Sequence, residues 1–387
     1  MKACGIIVEY NPFHNGHSYH AKKARELTGA DVVVAVMSGN FLQRGEPAII
    51  DKWQRANAAL QNGVDLVIEL PVEWSMQPAD LFARGAIGLL QALGCEFLCF
   101  GTDQETFFDY QAFGRFVLEN QEKIDLAFQK ITDPSLTYPQ KMMTVLQEIY
   151  PPLQVGTNQP NHILGLSYAQ ANAKYPNPMQ LFSVKREGAG YHSTELTQTI
   201  ASATAIRQAV GNHHSVTAYV PEQTAAGLKS HTVTWENYWP LLQYRILSST
   251  LTELREIYQM VDGLEFRLKK VIQEADNFEE LVTKLKTKRY TQARIQRLLC
   301  SLLLNLKQTD LEEQWQKQYL HILGFTKNGQ AFLTERKKKS SLPYFSKIGK
   351  KEEAVASLMI RSDQIYQLGA TGIKEQNFGR HPWRLLK

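Results

Sequence analysis

The sequence has 387 residues, 43% hydrophobic and 21% charged, with a formal net charge of +5. That length allows two or three domains with a substantial core, and the composition is that of an ordinary soluble globular protein. No apolar run approaches the roughly 20 residues that span a bilayer, so no membrane association is expected. The amino-terminal stretch Met1–Glu9 carries a lysine but no cleavage-site pattern, which predicts a buried strand and a cytoplasmic location. The cysteines Cys4, Cys95, Cys99 and Cys300 include no CxxC pair, so neither zinc nor a redox couple is indicated.

In chain order, Ala3–Glu9 reads as a short apolar strand, followed by a helix from about His17 to Leu27. Asp31–Met37 is β-branched and continuously apolar, the pattern of a strand covered on both faces. A helix is expected over Lys52–Gln61, a strand over Asp65–Leu70, a helix over Ala79–Leu93 and a strand over Glu96–Phe100. Residues 104–150 read as a helical insertion, and Met179–Val184 as a further strand. The rhythm predicts an α/β fold: a doubly wound, Rossmann-like parallel sheet over residues 1–225. From about Trp235 the strand signals give way to amphipathic helices, including Leu251–Met260, Leu264–Ala275 and Ile295–Leu306. The boundary is placed near Pro221–Asn237, with residues 226–387 mainly helical. In doubly wound sheets ligands sit beyond the carboxyl ends of the strands. That rule points to Tyr10–His17, Ser38–Gly45, Pro71–Trp74 and Gly101–Asp103.

The first of these carries Asn11-Pro12-Phe13-His14-Asn15-Gly16-His17 where a strand gives way to a helix. A helix start offers unpaired N–H groups and partial positive charge to phosphate oxygens, and Gly16 admits a close backbone approach. Two imidazoles at i and i+3 can both donate to a phosphate whose charge grows in the transition state. The plainer alternative makes one histidine a helix cap and the other a surface residue. No third ligand with metal spacing lies nearby, so no metal site is assigned.

This segment resembles the HIGH motif of the nucleotidylyltransferase superfamily. That superfamily's late Ile-Ser-Ser-Thr-x-Ile-Arg element is similar to Ser202-Ala203-Thr204-Ala205-Ile206-Arg207, with a departure at Ala203. The same residues also fit a capped helix start. Over nearly its whole length the chain resembles the bacterial tRNA(Met) cytidine acetate ligase family. The resemblance rests on Gly5–His17, Met37–Ala48, Asn161–Gly165 and Lys185–His192, with Tyr319–Phe325 matched to that family's helical region. It implies ATP as substrate, acetate activated to acetyl-adenylate, and transfer to the wobble cytidine of elongator tRNA(Met). Triphosphate chemistry further implies magnesium. No protein partner is expected.

By the same resemblance Ile7, Val8, Glu9, Tyr10, Asn11, Pro12, Phe13, His14, Asn15, Gly16, His17, Ser18, Tyr19 and His20 form an ATP-binding loop. His14 and His17 are its catalytic members. Gly101, Asn161, Lys185, Arg186, Ser202, Thr204 and Arg207 complete the nucleotide site. Asn161 also reads as a helix N-cap, and Arg186 as a surface ion pair with Glu187. Loops Met37–Asn40 and Gln43–Gly45 leave the second strand toward the same crevice and could meet the acyl group or the cytosine.

Lys284, Lys286, Lys288, Arg289, Arg294 and Arg297 fall in one stretch with no acidic residue, which suits an RNA backbone. A second basic run begins at Arg336–Lys339, and Tyr344, Phe345, Phe378 and Trp383 could stack on a base or pack in the core. Two alternatives stay open: a small-molecule nucleotidylyltransferase, and a non-catalytic nucleotide-binding assembly factor.

Overall fold

The computed structural model describes residues 1–133, 136–156, 159–185 and 201–386. Five parallel strands form the centre of its sheet: β1 (Ala3–Val8), β2 (Val32–Ser38), β3 (Leu66–Leu70), β4 (Phe97–Thr102) and β5 (Gln180–Lys185). Their spatial order is β5-β4-β1-β2-β3. The chain therefore winds one way from β1 to β3 and the other way through β4 and β5. The reversal leaves a crevice at the carboxyl ends of β1 and β4, where the order changes direction.

The apolar run of β2 shows why both faces had to be covered. Val32, Val34 and Val36 enter the core beneath the helices Ala79–Ala92 and Pro160–Ala173. Val33, Ala35 and Met37 enter the opposite core, beneath the helices Asn15–Thr28 and Lys52–Gln61. Each fully buried valine contributes about 1.5–3 kcal/mol of apolar burial, so the strand cannot be moved to an edge cheaply. The insertion is helical, with Tyr110–Glu119, Gln121–Lys130 and Tyr138–Ile149 packed onto the first of these cores.

Beyond β3 the chain departs from expectation. Tyr319–Phe325, matched to a helical region, instead leads at Leu320 into β6 (Leu320–Thr326), which runs antiparallel to β3. Leu320, His321, Ile322 and Leu323 are buried on both faces of the strand, a demand that suits a sheet rather than an amphipathic helix. Two short strands, β7 (Tyr344–Phe345) and β8 (Trp383–Leu385), pair end to end along the outer side of β6 and cover its edge. Between β5 and β6 in the chain, the helices Trp235–Ser248, Leu264–Val271, Phe278–Leu285 and Gln292–Leu303 share a separate core. Among the described residues no helix is long and apolar enough to cross a membrane.

Of the aromatic residues considered for base stacking, Phe345 is buried face to face on Tyr319. The Trp383 indole donates to the Trp53 carbonyl.

Candidate active site

The helix after β1 begins two residues earlier than its apolar pattern suggests, because the histidines themselves cap it. His14 is the N-cap, with extended backbone, and its Nδ1 accepts from the Gly16 N–H at 3.1 Å. His17 Nδ1 accepts in return from the His14 N–H at 3.2 Å. The rings stack with centroids 3.7 Å apart. A neutral imidazole has one donor and one acceptor nitrogen, so both rings are held with the proton on Nε2. Cap and phosphate donor are thus compatible roles: the cap selects the tautomer that can donate.

The turn before the cap is equally constrained. Tyr10 adopts a left-handed backbone at φ 55, and its ring is buried edge-on against Phe13 and His17. A non-glycine residue there is strained, and such strain gathers at functional turns. Asn11 bridges outward: its Oδ1 accepts from the Ile49 N–H at 2.8 Å and its Nδ2 donates to Glu46 at 3.2 Å. Behind it lies fully buried Arg55. Its guanidinium donates to the carbonyls of Glu9, Ser38, Gly39 and Ile50, which gathers the ends of β1 and β2 into one rigid edge.

The second motif meets the first. Ser202 caps the helix Ala203–Gly211, its Oγ accepting from the Ala205 N–H at 3.0 Å. Arg207 Nη1 donates to the Asn11 carbonyl at 2.8 Å, and its other terminal nitrogen lies 3.9 Å from Glu46. Asn15 is tied to the segment after that helix, through the carbonyls of Ala218 and Tyr219 at 3.0 Å each.

These elements enclose a cleft of about 750 Å³. Of the residues expected at the nucleotide, Ile7, Val8, Glu9, Tyr10, Asn11, His14, Gly16, His17, Tyr19, His20, Gly101, Asn161, Lys185, Ser202, Thr204 and Arg207 all line it. Pro12, Phe13, Asn15 and Ser18 do not: Phe13 belongs to the core and Asn15 clamps the neighbouring segment. Arg186 lies outside the described residues, as does most of Lys185–His192. Ala203 also faces the cleft, so the departure from the superfamily pattern falls on a lining position.

Asn161 is not the N-cap expected of it. Gln159 holds that position, Pro160 is the first helical residue, and Asn161 lies inside the first turn. The Asp103 carboxylate supplies the cap from another part of the chain, accepting the N–H groups of Asn161 at 3.1 Å and His162 at 2.8 Å. Gly165, four residues on, lets this helix approach the sheet: a Cβ there would lie 2.7 Å from both Phe100 and Tyr110.

The loop after β2 divides in two. Gln43, Arg44 and Glu46 line the cleft, and the Gln43 N–H donates to Glu9 at 2.7 Å. Burial raises the Glu9 carboxyl against that hydrogen bond. Ser38, Gly39 and Asn40 do not line the cleft; Asn40 is consumed by a buried network described below.

The basic stretch also separates. Lys286, Lys288 and Arg289 are exposed, Lys284 pairs with Glu280 at 2.8 Å, and Arg294 lies over the Tyr290 ring at 4.8 Å. Arg297 turns inward instead, donating to the Gln43 carbonyl at 3.4 Å, and burial brings its guanidinium down to about 10. Gln292, Ala293 and Gln296 on the same helix line the cleft, an arrangement with no local signal in the sequence.

The family described as HIGH Nucleotidyl Transferase matches residues 1–381. A tRNA(Met) cytidine acetate ligase of Latilactobacillus sakei is 45% identical over 99% of this chain and 97% of that relative. One from Streptococcus uberis is 42% identical over the full length of both. Among solved structures, Thermotoga maritima TmcAL superposes with a TM-score of 0.91 at 30% identity, covering all of both chains. A second crystal form of that protein, bound with alpha-thio ATP, gives 0.88 at 29% identity over the same extent. With this likeness running from end to end through the HIGH cap, the sheet and the returning strands, the chain belongs to the tRNA(Met) cytidine acetate ligase family of HIGH nucleotidyl transferases.

Proposed function

We propose that this chain uses ATP to activate acetate and passes the acetyl group to the wobble cytidine of elongator tRNA(Met), forming N4-acetylcytidine. An acetate oxygen attacks the α-phosphorus of ATP and pyrophosphate leaves, giving acetyl-adenylate. The exocyclic N4 of the cytidine then attacks the acetyl carbonyl carbon. The bond to AMP breaks, AMP leaves with the electron pair, and N4 releases a proton. The observation that carries this reading is the paired cap: two imidazoles fixed as Nε2–H donors at a helix start, in one cleft with Lys185 and Arg207. Donors aimed at developing phosphate charge are the main source of rate in such chemistry.

The nucleotide lies along the HIGH segment with its phosphates toward His14, His17, Ser202, Thr204 and Arg207. Arg186, assigned to the nucleotide by resemblance, lies outside the described residues. Triphosphate chemistry of this kind uses magnesium, which the nucleotide's own phosphate oxygens can carry to the site. The helical part beyond residue 226 grips the tRNA through Lys284, Lys286, Lys288, Arg289 and Arg294. A cytoplasmic enzyme is the reading that agrees with a tRNA substrate.

The test incubates the purified protein with ATP, labelled acetate and unmodified tRNA(Met). The expected result is label in the RNA with release of AMP and pyrophosphate. Nucleotidyl transfer to a small metabolite, with no label in RNA, would overturn the proposal.

A further inference from the structure

The cleft is not chemically uniform. One part holds His14, His17, Lys185 and Arg207, cations and donors suited to phosphate. Another wall, from the first turns of the helix Gln292–Leu303, presents Gln292, Ala293 and Gln296, beside the loop that brings Arg44 and Glu46 to the same cleft. Gln292 and Gln296 are four residues apart, so they stand one above the other on one helical face.

That wall is held tightly to the edge of the sheet. Gly45, at φ +75, touches the helix so closely that a Cβ on it would lie 2.3 Å from the Arg297 nitrogen. The Trp235 indole donates to the Gly45 carbonyl at 3.0 Å, and Arg297 donates to Gln43. The glutamines are therefore carried on an element that is rigid relative to the strand ends.

Immediately before this helix, the Tyr290 ring lies beneath two guanidinium groups, Arg289 at 5.8 Å and Arg294 at 4.8 Å. Lys286 and Lys288 are exposed next to it. A single stretch of chain thus passes from an exposed cationic and aromatic surface to the side-chain amides of Gln292 and Gln296 inside the cleft. A nucleotide of a folded RNA asks for that sequence of surfaces: phosphates outside, and a neutral base inserted within.

We infer that Gln292 and Gln296 form the subsite for the acceptor base, an inference that rests on the tRNA-acetylating function proposed above. Cytosine presents N3 and O2 as acceptors beside its N4 amine. Amide N–H groups that donate to N3 and O2 orient the ring and leave N4 to face the acyl carbon. A lysine or arginine at either position would compete for the adenylate phosphate instead. The two glutamines are positioning residues for transfer and take no part in activating acetate.

The experiment compares the wild-type chain with Gln292→Ala/Gln296→Ala in three assays. These are acetate-dependent ATP–pyrophosphate exchange without RNA, tRNA binding, and single-turnover acetyl transfer to tRNA(Met). The variant is expected to keep exchange and tRNA binding within about twofold of wild type, while transfer slows at least about tenfold, as loss of one or two hydrogen bonds to the base implies. Retained exchange also reports a folded cleft. Transfer at the wild-type rate would overturn the inference. So would equal losses of transfer and exchange, which would assign the glutamines to the nucleotide. Absence of both exchange and transfer in the wild type would instead sink the proposed function, whatever the variant does.

Discussion

Two groups of polar side chains sit at the strand ends, and they are used in opposite ways. In the cleft, His14, His17 and Arg207 are held by main-chain groups, which fix their direction while an open volume remains before them. In the seam between β3 and the returning chain the groups consume one another. Buried Lys52 donates to Glu69 at 2.8 Å and to Asp363 at 2.6 Å. Glu69 also meets His321, and Asn40 bridges Asp363 and Gln376. Burial alone would raise the Glu69 carboxyl, but Lys52 and His321 outweigh it and hold it low. Burial pushes Asp363 up, only partly offset by Lys52. At the cleft, main-chain contacts fix side chains that still face an open volume; at the seam, charged side chains satisfy one another and close the joint.

The comparison can be broken most forcefully at Lys52. Lys52→Met leaves two buried carboxylates without their cation and should destabilise the fold by about 3–5 kcal/mol, read as a lowered midpoint in urea unfolding. A midpoint near that of the wild type would show that the seam is not a joint. Next, His17→Ala should reduce ATP–pyrophosphate exchange by about 10²–10³-fold, the loss associated with one transition-state donor. Its stability should fall only by about 1 kcal/mol, as for a lost cap. If the stability loss matched that of Lys52→Met and the folded variant kept its activity, the paired cap would be structural after all.

A separate effect, read as a change of stability with pH, concerns Glu73, in the short helix Val72–Ser75 beside the seam. Among the described residues its Oε2 has no hydrogen-bond partner, and burial raises its carboxyl to about 8. A folded value above the unfolded one stabilises the protein fully below about pH 4.5, and that contribution is lost as pH rises toward 8. The wild type should therefore lose up to about 1.4 kcal/mol per pH unit across that window, beyond what Glu73→Gln loses. Parallel stability–pH curves for the two proteins would place Glu73 in a solvated site.

The strands β1 to β5 and the HIGH motif were legible because their signals are local. Continuous apolar runs mark strands buried on both faces, and two histidines around Asn15-Gly16 mark the HIGH turn. Four features were not legible. Arg55 looks like any helical arginine until four carbonyls converge on it. Asp103 caps a helix through Asn161, 58 residues further along the chain. Tyr319–Phe325 carries an apolar pattern that suits either element, and the open edge of β3 decided for a strand. Gln292 and Gln296 reach the cleft only because Gly45 admits their helix.

The sequence by itself determined the parallel sheet, the HIGH turn proposed to bind phosphate and the family to which the chain belongs, since each depends on residues adjacent in the chain. Only the tertiary structure decided the histidine tautomers, the buried seam and the glutamine wall of the cleft. Those depend on which distant donors, acceptors and charges meet, and burial makes an unpaired partner too costly for the meeting to be left to chance.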